Sequence, residues 1–88
     1  MSTPRQWQIL VDIARERGRQ SDMWQGPHSW GSGDCSSPDV AITTKVAVLL
    51  EEAGEAARAV LEHDPQQLRK ELVQLAAVAV AIIEGIDT

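Results

Sequence analysis

Two acidic segments decide the fold of this chain: KVAVLLEEAGE at residues 45–55 and ELVQ at residues 71–74. Both lie in apolar stretches with helical spacing, so we expect each to belong to a helix. Glu52 and Glu55 are three residues apart and would share one face of the first helix, as the outer residues of ELVQ would on the second. If the two helices fold back on each other, these side chains meet. Carboxylates grouped against an apolar seam are costly to desolvate, and Mg²⁺ is the usual compensating ion.

The sequence around these segments predicts three helices and no strand. Thr3-Pro4 can start the first helix, whose apolar residues have helical spacing and which should end near residues 18–20. The second helix should begin at Pro38-Asp39, or one turn later at Thr43-Thr44, and it should end near His63.

The third helix should begin at Asp64-Pro65, with Asp64 as its cap and Pro65 in its first position, and run to about Ile86. We therefore expect an all-α fold. The second and third helices would form an antiparallel hairpin, and the N-terminal helix would pack across it. Residues 1–88 are expected to form a single domain, because a chain of this length supports one hydrophobic core.

The size and charge of the chain limit its partners. Residues 75–83 are apolar nearly all round, and only a second copy of an 88-residue chain could cover them. We therefore expect a homodimer or homotetramer that forms a helical bundle. The same run is far shorter than the ~20 residues that span a membrane, and a net charge of −5 argues against binding to a nucleic-acid polymer. A single cysteine and the lack of a visible signal peptide predict a cytoplasmic protein.

The combined pattern resembles a known family. Glu-Glu-x-x-Glu at residues 51–55, followed after a gap by the helix that opens with ELVQ, is similar to the signature of the MazG-like, all-α nucleoside triphosphate pyrophosphohydrolases. Residues 13–24 are similar to small phage-borne members. The resemblance implies hydrolysis of a (deoxy)nucleoside triphosphate to monophosphate and pyrophosphate, with Mg²⁺ or Mn²⁺ as the cofactor. It also implies a bacterial cytoplasm as the location, which is that of the host if the chain is phage-encoded.

The resemblance assigns roles to five residues. Glu52, Glu55 and Glu71 match the metal ligands of the family. Glu51 and Glu52 would act in catalysis, and Glu51 would bind a further metal or orient the attacking water. Lys45, two turns before Glu52, could contact the phosphates during catalysis, or it could be an ordinary surface charge.

Gln74 departs from the family signature, which has Asp at this position. An amide oxygen is a weaker ligand than a carboxylate, so the change would reduce the number of bound metals or the rate, unless Gln74 contacts the nucleotide directly. Two other functions therefore stay open. The chain could be a nucleotide-binding homologue without catalysis, or a purely structural oligomerisation module whose glutamates are surface charges.

Residues 21–38 are rich in Gly, Pro and Ser and predict an irregular loop, part of which could be mobile without a ligand. Trp24 and Trp30 lie in this loop. They could bind substrate by stacking on a nucleobase, because an aromatic face accepts any base. Alternatively, they could close the open end of a small core.

Overall fold

The computed structural model describes residues 3–87 and is mostly helical. Its elements, in chain order, are α1 (Pro4–Met23), β1 (Pro27–His28), β2 (Gly31–Ser32), α2 (Ile42–Leu61) and α3 (Pro65–Asp87). Residues 1, 2 and 88 of the predicted domain lie outside the described range. Within residues 3–87, no helix is long and apolar enough to cross a membrane.

Helix α1 begins where the sequence predicted and ends later. Thr3 and Gln6 form a capping box, in which the Thr3 hydroxyl accepts from the Gln6 N–H and the Gln6 side chain accepts from the Thr3 N–H. The predicted end near residues 18–20 is wrong by about one turn, since the helix continues to Met23. Contacts of the last turns with α3 and with the loop hold this segment helical despite Gly18, as tertiary packing often does.

The hairpin of α2 and α3 is confirmed, with one boundary changed. Helix α2 starts at Ile42, after Ala41, which has an extended backbone and no side-chain cap. The predicted start at Pro38-Asp39 is wrong, because residues 34–40 are used in turns closed by backbone hydrogen bonds. The alternative start at Thr43-Thr44 is also displaced, since Ile42 is already helical. Asp64 caps α3 as predicted: its Oδ1 accepts from the Gln67 N–H at 3.0 Å, and Pro65 is the first helical residue.

The three helices pack as two pairs that share α3. Helix α2 packs along one side of α3 and α1 along another, and within the described residues α1 does not pack on α2. The expected N-terminal helix lying across the hairpin is thus corrected to a helix lying on α3. The core consists of small and aliphatic side chains: Cys35, Val78, Ala81 and Ile82, with Val48 and Leu49 packed against them.

The expectation that residues 21–38 contain no strand is wrong at their centre. Strands β1 and β2 form a two-residue antiparallel ladder, in which Pro27 pairs with Ser32 and His28 with Gly31. Gly31 has φ +138°, and a Cβ there would lie 2.8 Å from the Asp39 carbonyl oxygen, so only glycine fits this close approach. Strands of two residues are too short to produce the alternating pattern by which a sequence predicts them.

Candidate metal centre and nucleotide cavity

The antiparallel hairpin brings three carboxylates together. Glu52 and Glu55 on α2 and Glu71 on α3 each offer an oxygen, and these atoms all lie within 4.8 Å of one another. Glu71 is only 7% exposed, and one of its oxygens accepts from Gln67 Nε2 at 2.6 Å. The other oxygen of Glu71 and one oxygen of Glu52 are buried without a hydrogen-bond partner among the described residues. Such orphaned anionic oxygens are unfavourable unless a cation binds them.

The raised pKa values of the clustered glutamates also indicate a site that favours a cation. Burial, and then the charges of Glu55, Glu71, Glu51 and Glu16, raise the pKa of Glu52 to about 7. The pKa of Glu55 is also raised, first because a protonated Glu55 can donate a hydrogen bond to the Glu71 carboxylate, then by burial and by neighbouring charges. Without a cation, part of the cluster therefore keeps a proton near neutral pH.

These residues fit a hard divalent cation. Mg²⁺ and Mn²⁺ prefer oxygen ligands, and Mg²⁺ commonly takes a few carboxylates together with phosphate oxygens and water. Glu52, Glu55 and Glu71 supply the carboxylates, and the orphaned oxygens on two of them leave ligand positions free. The acidic cluster is thus a plausible metal site.

A cavity of about 190 Å³ lies beside the cluster and shares Glu52 with it. Its walls include Trp24 and Trp30 from the loop, Glu51 and Glu52 from α2, and Arg19 from α1. The cavity thus has aromatic rings, carboxylates and a guanidinium within one enclosure. Apolar walls with a few polar groups are typical of sites that bind small molecules.

The tryptophans form one cluster with His28. The ring centroids of Trp24 and Trp30 are 4.9 Å apart, and the His28 ring lies 5.1 Å from the first and 4.3 Å from the second. His28 Nε2 donates to the Gly33 carbonyl at 2.6 Å, which fixes the imidazole within the loop. Both indoles are half-buried, so packing within the loop holds them in place.

Helix α1 contributes three residues that the sequence reasoning missed. Arg19 makes two hydrogen bonds of 2.7 Å to Glu16, whose charge contributes to the raised pKa of Glu52. Gln20 is buried, and its Nε2 lies 3.2 Å both from a Glu16 oxygen and from the Gln74 carbonyl oxygen. Their spacing of three and four residues places all three on one face of α1. This spacing was the feature of the sequence from which they could have been identified.

Arg17, Asp34 and Glu84, which the sequence reasoning also missed, connect the loop to α1 and α3. Arg17 of α1 binds Asp34 in the loop and, through two hydrogen bonds of 3.0 Å, Glu84 of α3. Asp34 also accepts from the N–H and hydroxyl of Ser36. This network anchors the segment that carries one wall of the cavity.

Lys45 and Gln74 are the remaining two residues that were predicted for the site. Lys45 is buried about two turns before Glu52 on α2, and its Nζ lies 3.1 Å from where a Cβ on Gly85 would be. Gln74 is half-buried, and its backbone carbonyl oxygen accepts a hydrogen bond from the Gln20 side chain of α1. Their roles toward phosphate or nucleotide stay predictions.

Comparison with known proteins assigns the α2–α3 hairpin to a family. No curated protein and no solved structure matches the chain. The sequence profile described as the MazG nucleotide pyrophosphohydrolase domain matches residues 41–85, which is just over half of the chain and includes all of α2 and nearly all of α3. The matched range contains the three clustered carboxylates. The chain belongs to the MazG nucleotide pyrophosphohydrolase domain family.

Proposed function

We propose that this protein hydrolyses (deoxy)nucleoside triphosphates to monophosphate and pyrophosphate with Mg²⁺, or Mn²⁺, as its cofactor. The observation that carries the proposal is the adjacency of the three-carboxylate cluster to the cavity lined by Trp24 and Trp30. Family membership supports the same reaction. The elongated, anionic substrate needs both features, because its base is aromatic and its phosphate chain must be neutralised.

In this reaction water attacks the α-phosphorus, the bond from that phosphorus to the bridging oxygen of the β-phosphate breaks, and pyrophosphate leaves. Glu52, Glu55 and Glu71 would hold the metal. The bound ion would neutralise phosphate oxygens and make water a better nucleophile. Glu51 is exposed, lines the cavity and neighbours Glu52, so it is the residue best located to orient the water and take its proton.

Trp24 and Trp30 would receive the nucleobase. Their rings line the cavity on the side that the loop provides, while the carboxylates lie on the hairpin side. A base stacked on an indole would then direct its phosphate chain toward Glu52. Stacking on an aromatic ring contributes roughly 1–3 kcal/mol per base with little selectivity between bases.

A product assay tests the reaction. Each common (d)NTP is incubated with Mg²⁺ or Mn²⁺, and pyrophosphate and orthophosphate are measured separately. We expect pyrophosphate, and we expect Glu52→Gln and Glu55→Gln to lower its rate at least ~10²-fold, since each removes a charged metal ligand. Glu62→Gln is the matched control, because Glu62 is an exposed α2-end residue paired with Arg58. Full activity in either cluster variant would contradict the metal-site assignment.

A nucleotide-binding homologue without catalysis is the second candidate, and Gln74 favours it. The Gln74 side chain is neutral, so this position adds no charge to the three carboxylates that cluster. Tight nucleotide binding in calorimetry without any pyrophosphate would support this candidate over the hydrolase. If neither Mg²⁺ nor any nucleotide raised the melting temperature, the purely structural module would be favoured over both.

A further inference from the structure

Gln20 is a polar side chain of α1 that is almost fully buried beside the cavity. It is 8% exposed, and it lines the cavity together with Trp24, Glu51 and Glu52. A buried amide is unfavourable unless it forms hydrogen bonds. The partners of its nitrogen and its oxygen therefore indicate what this side chain does.

The neighbours of Gln20 fix the orientation of its amide group. Its Nε2 lies 3.2 Å from an oxygen of the Glu16 carboxylate and 3.2 Å from the backbone carbonyl oxygen of Gln74. The hydrogen bonds from Arg19 lower the pKa of Glu16, so this carboxylate is ionised at neutral pH and only accepts. Both neighbours thus select the amide nitrogen and exclude the amide oxygen from their side. The two N–H donors of Gln20 are used within the protein.

The amide oxygen of Gln20 is left without a partner. Among residues 3–87, no group donates a hydrogen bond to its Oε1, and the buried side-chain atoms that lack a partner belong to His28, Glu52 and Glu71. Oε1 therefore keeps some accessible surface although the residue is buried. It is the polar atom that Gln20 presents to the cavity, and such an acceptor favours a ligand that donates a hydrogen bond.

The position of Gln20 next to Trp24 indicates which part of a nucleotide Oε1 would meet. The two residues are one turn apart on α1, and the Trp24 N–H donates to the Gln20 carbonyl oxygen at 3.1 Å. A base stacked on the Trp24 ring would have its edge beside Gln20. Phosphate oxygens are themselves acceptors and cannot bond to Oε1, whereas the edges of bases carry N–H donors.

The bases differ in the group that they would offer to such an oxygen. Cytosine and adenine carry an amino group, which donates, at the ring position where uracil, thymine and guanine carry a carbonyl oxygen, which accepts. An amide oxygen bonds to the first kind of group and is repelled by the second. The ring N–H of uracil is a poorer partner, because it lies between two carbonyl oxygens that repel a third.

We propose that Gln20 determines base specificity, with its Oε1 accepting a hydrogen bond from the amino group of cytosine or adenine. Glu16 and Gln74 position the amide, since they prevent it from turning over. Stacking on the tryptophans accepts any base, so this bond adds the selectivity that stacking lacks. The inference rests on the proposed function in one respect, which is that the cavity binds a nucleotide.

Nucleotide pairs that exchange the amino group for a carbonyl test the proposal. Non-hydrolysable α,β-methylene analogues of CTP and UTP, and of ATP and ITP, are titrated with Mg²⁺ into the full chain by calorimetry. We expect the wild type to bind the amino member of each pair at least about tenfold more tightly. Gln20→Met, which keeps the size of the side chain but has no amide, should lower this ratio to about one.

Two further variants make the comparison specific. Gln8→Met is the matched control and should keep the ratio, because Gln8 is an exposed glutamine on the same helix. Glu16→Gln should reduce the ratio, because a glutamine at this position donates as well as accepts and no longer selects Nε2 of Gln20. Circular dichroism of each variant checks that its helices are intact.

Each result supports or overturns the inference. Equal affinities within both pairs in the wild type overturn it without any variant. If Gln20→Met binds both members more weakly and keeps their ratio, Gln20 only supports the packing of α1 on α3. A preference for UTP and ITP that depends on Gln20 assigns the bond to a ring N–H instead. Binding of the analogues without pyrophosphate from the natural nucleotides overturns the proposed hydrolysis alone, whereas the absence of any nucleotide binding overturns both proposals.

Discussion

At the residue scale, Glu52 links the stability of the protein to its ligand. It is surrounded by Glu51 and Glu55 on its own helix, by Glu71 on α3, and by Glu16 with its partner Arg19 on α1. Because the carboxylates outnumber the guanidinium and burial disfavours charge, the folded protein binds a proton at Glu52 more tightly than the unfolded chain does. A metal ion needs Glu52 in its charged form, and that form is the one that destabilises the folded protein when no metal is bound.

The pH dependence of stability follows from that competition. The pKa of Glu52 rises from 4.5 to about 7 on folding, so its favourable contribution is complete below pH 4.5 and is lost as pH rises through about 7. In metal-free buffer we expect Glu52→Gln to melt at a higher temperature than wild type at pH 8, and the gap to close toward pH 4.5. Added Mg²⁺ should raise the melting temperature of wild type and leave Glu52→Gln unchanged.

Thermal melts with and without Mg²⁺, from pH 4.5 to 8.5, check this expectation, with Glu62→Gln as the control for a general loss of negative charge. An equal gain of stability in the control and in Glu52→Gln would show that net charge, rather than the cluster, is responsible. Stabilisation of Glu52→Gln by Mg²⁺ would place the ion elsewhere.

We expect Arg19 to bind the phosphate chain of the substrate. Of the described residues that line the cavity, it is the only cationic one, and its side chain is half-exposed while bound to Glu16. Arg19→Gln should weaken triphosphate binding about tenfold, as expected for the loss of a charged hydrogen bond, and affect monophosphate binding less.

Calorimetry with a non-hydrolysable triphosphate analogue and with the monophosphate measures this difference. Arg15→Gln is the control, because Arg15 is an exposed arginine one turn earlier on the same helix. Equal losses for both nucleotides in Arg19→Gln would mean that the residue supports the cavity without contacting phosphate.

At the scale of the elements, one arginine connects α1, the loop and α3. The side chains of Arg17 and Asp34 are 14% and 9% exposed, so their ion pair is largely protected from solvent. Arg17→Met would leave Asp34 buried without its cation, and we expect it to lower the free energy of unfolding by about 3 kcal/mol. Denaturant titration measures this change.

The control for Arg17 is Arg58→Met, which breaks the exposed Arg58–Glu62 pair and should cost less than ~1 kcal/mol. The Arg17 variant should also increase hydrogen exchange in residues 31–36, because the loop loses its anchor on two helices. If hydrogen exchange in residues 31–36 were unchanged while stability fell as expected, Arg17 would stabilise only the packing of α1 on α3.

The helix boundaries show which features of the fold can be predicted from the local sequence. Capping residues correctly predicted the starts of α1 and α3, because Thr3 and Asp64 act within one turn of themselves. The end of α1, the start of α2 and the small β-ladder were predicted wrongly. These three depend on contacts of the segment from residue 17 to residue 41 with α3 and with itself, which no local pattern encodes.

At the scale of the whole molecule, stability should depend on concentration. If two copies associate through the exposed aliphatic side chains of α2 and α3, such as Leu50, folding and association are linked, and the melting temperature should rise as the protein concentration rises. We expect this dependence in wild type and its loss in Leu50→Lys. Leu10→Lys is the control and should keep the dependence, because Leu10 is also exposed but lies on α1. Melts over a hundredfold range of concentration test it, and a constant melting temperature for wild type would contradict the dimer.

The sequence by itself determined the helical hairpin, the family and the three clustered carboxylates. These rest on periodicity and on short spacings within α2 and α3, and a hairpin with a connection of three residues leaves few ways to place one helix against the other. Only the tertiary structure decided which side chains of α1 approach the cluster, how Arg17 anchors the loop, and that Lys45 is buried beside Gly85. The physical reason is distance along the chain: Glu16 and Glu52 interact through a packing of α1 on α3 that neither helix specifies alone.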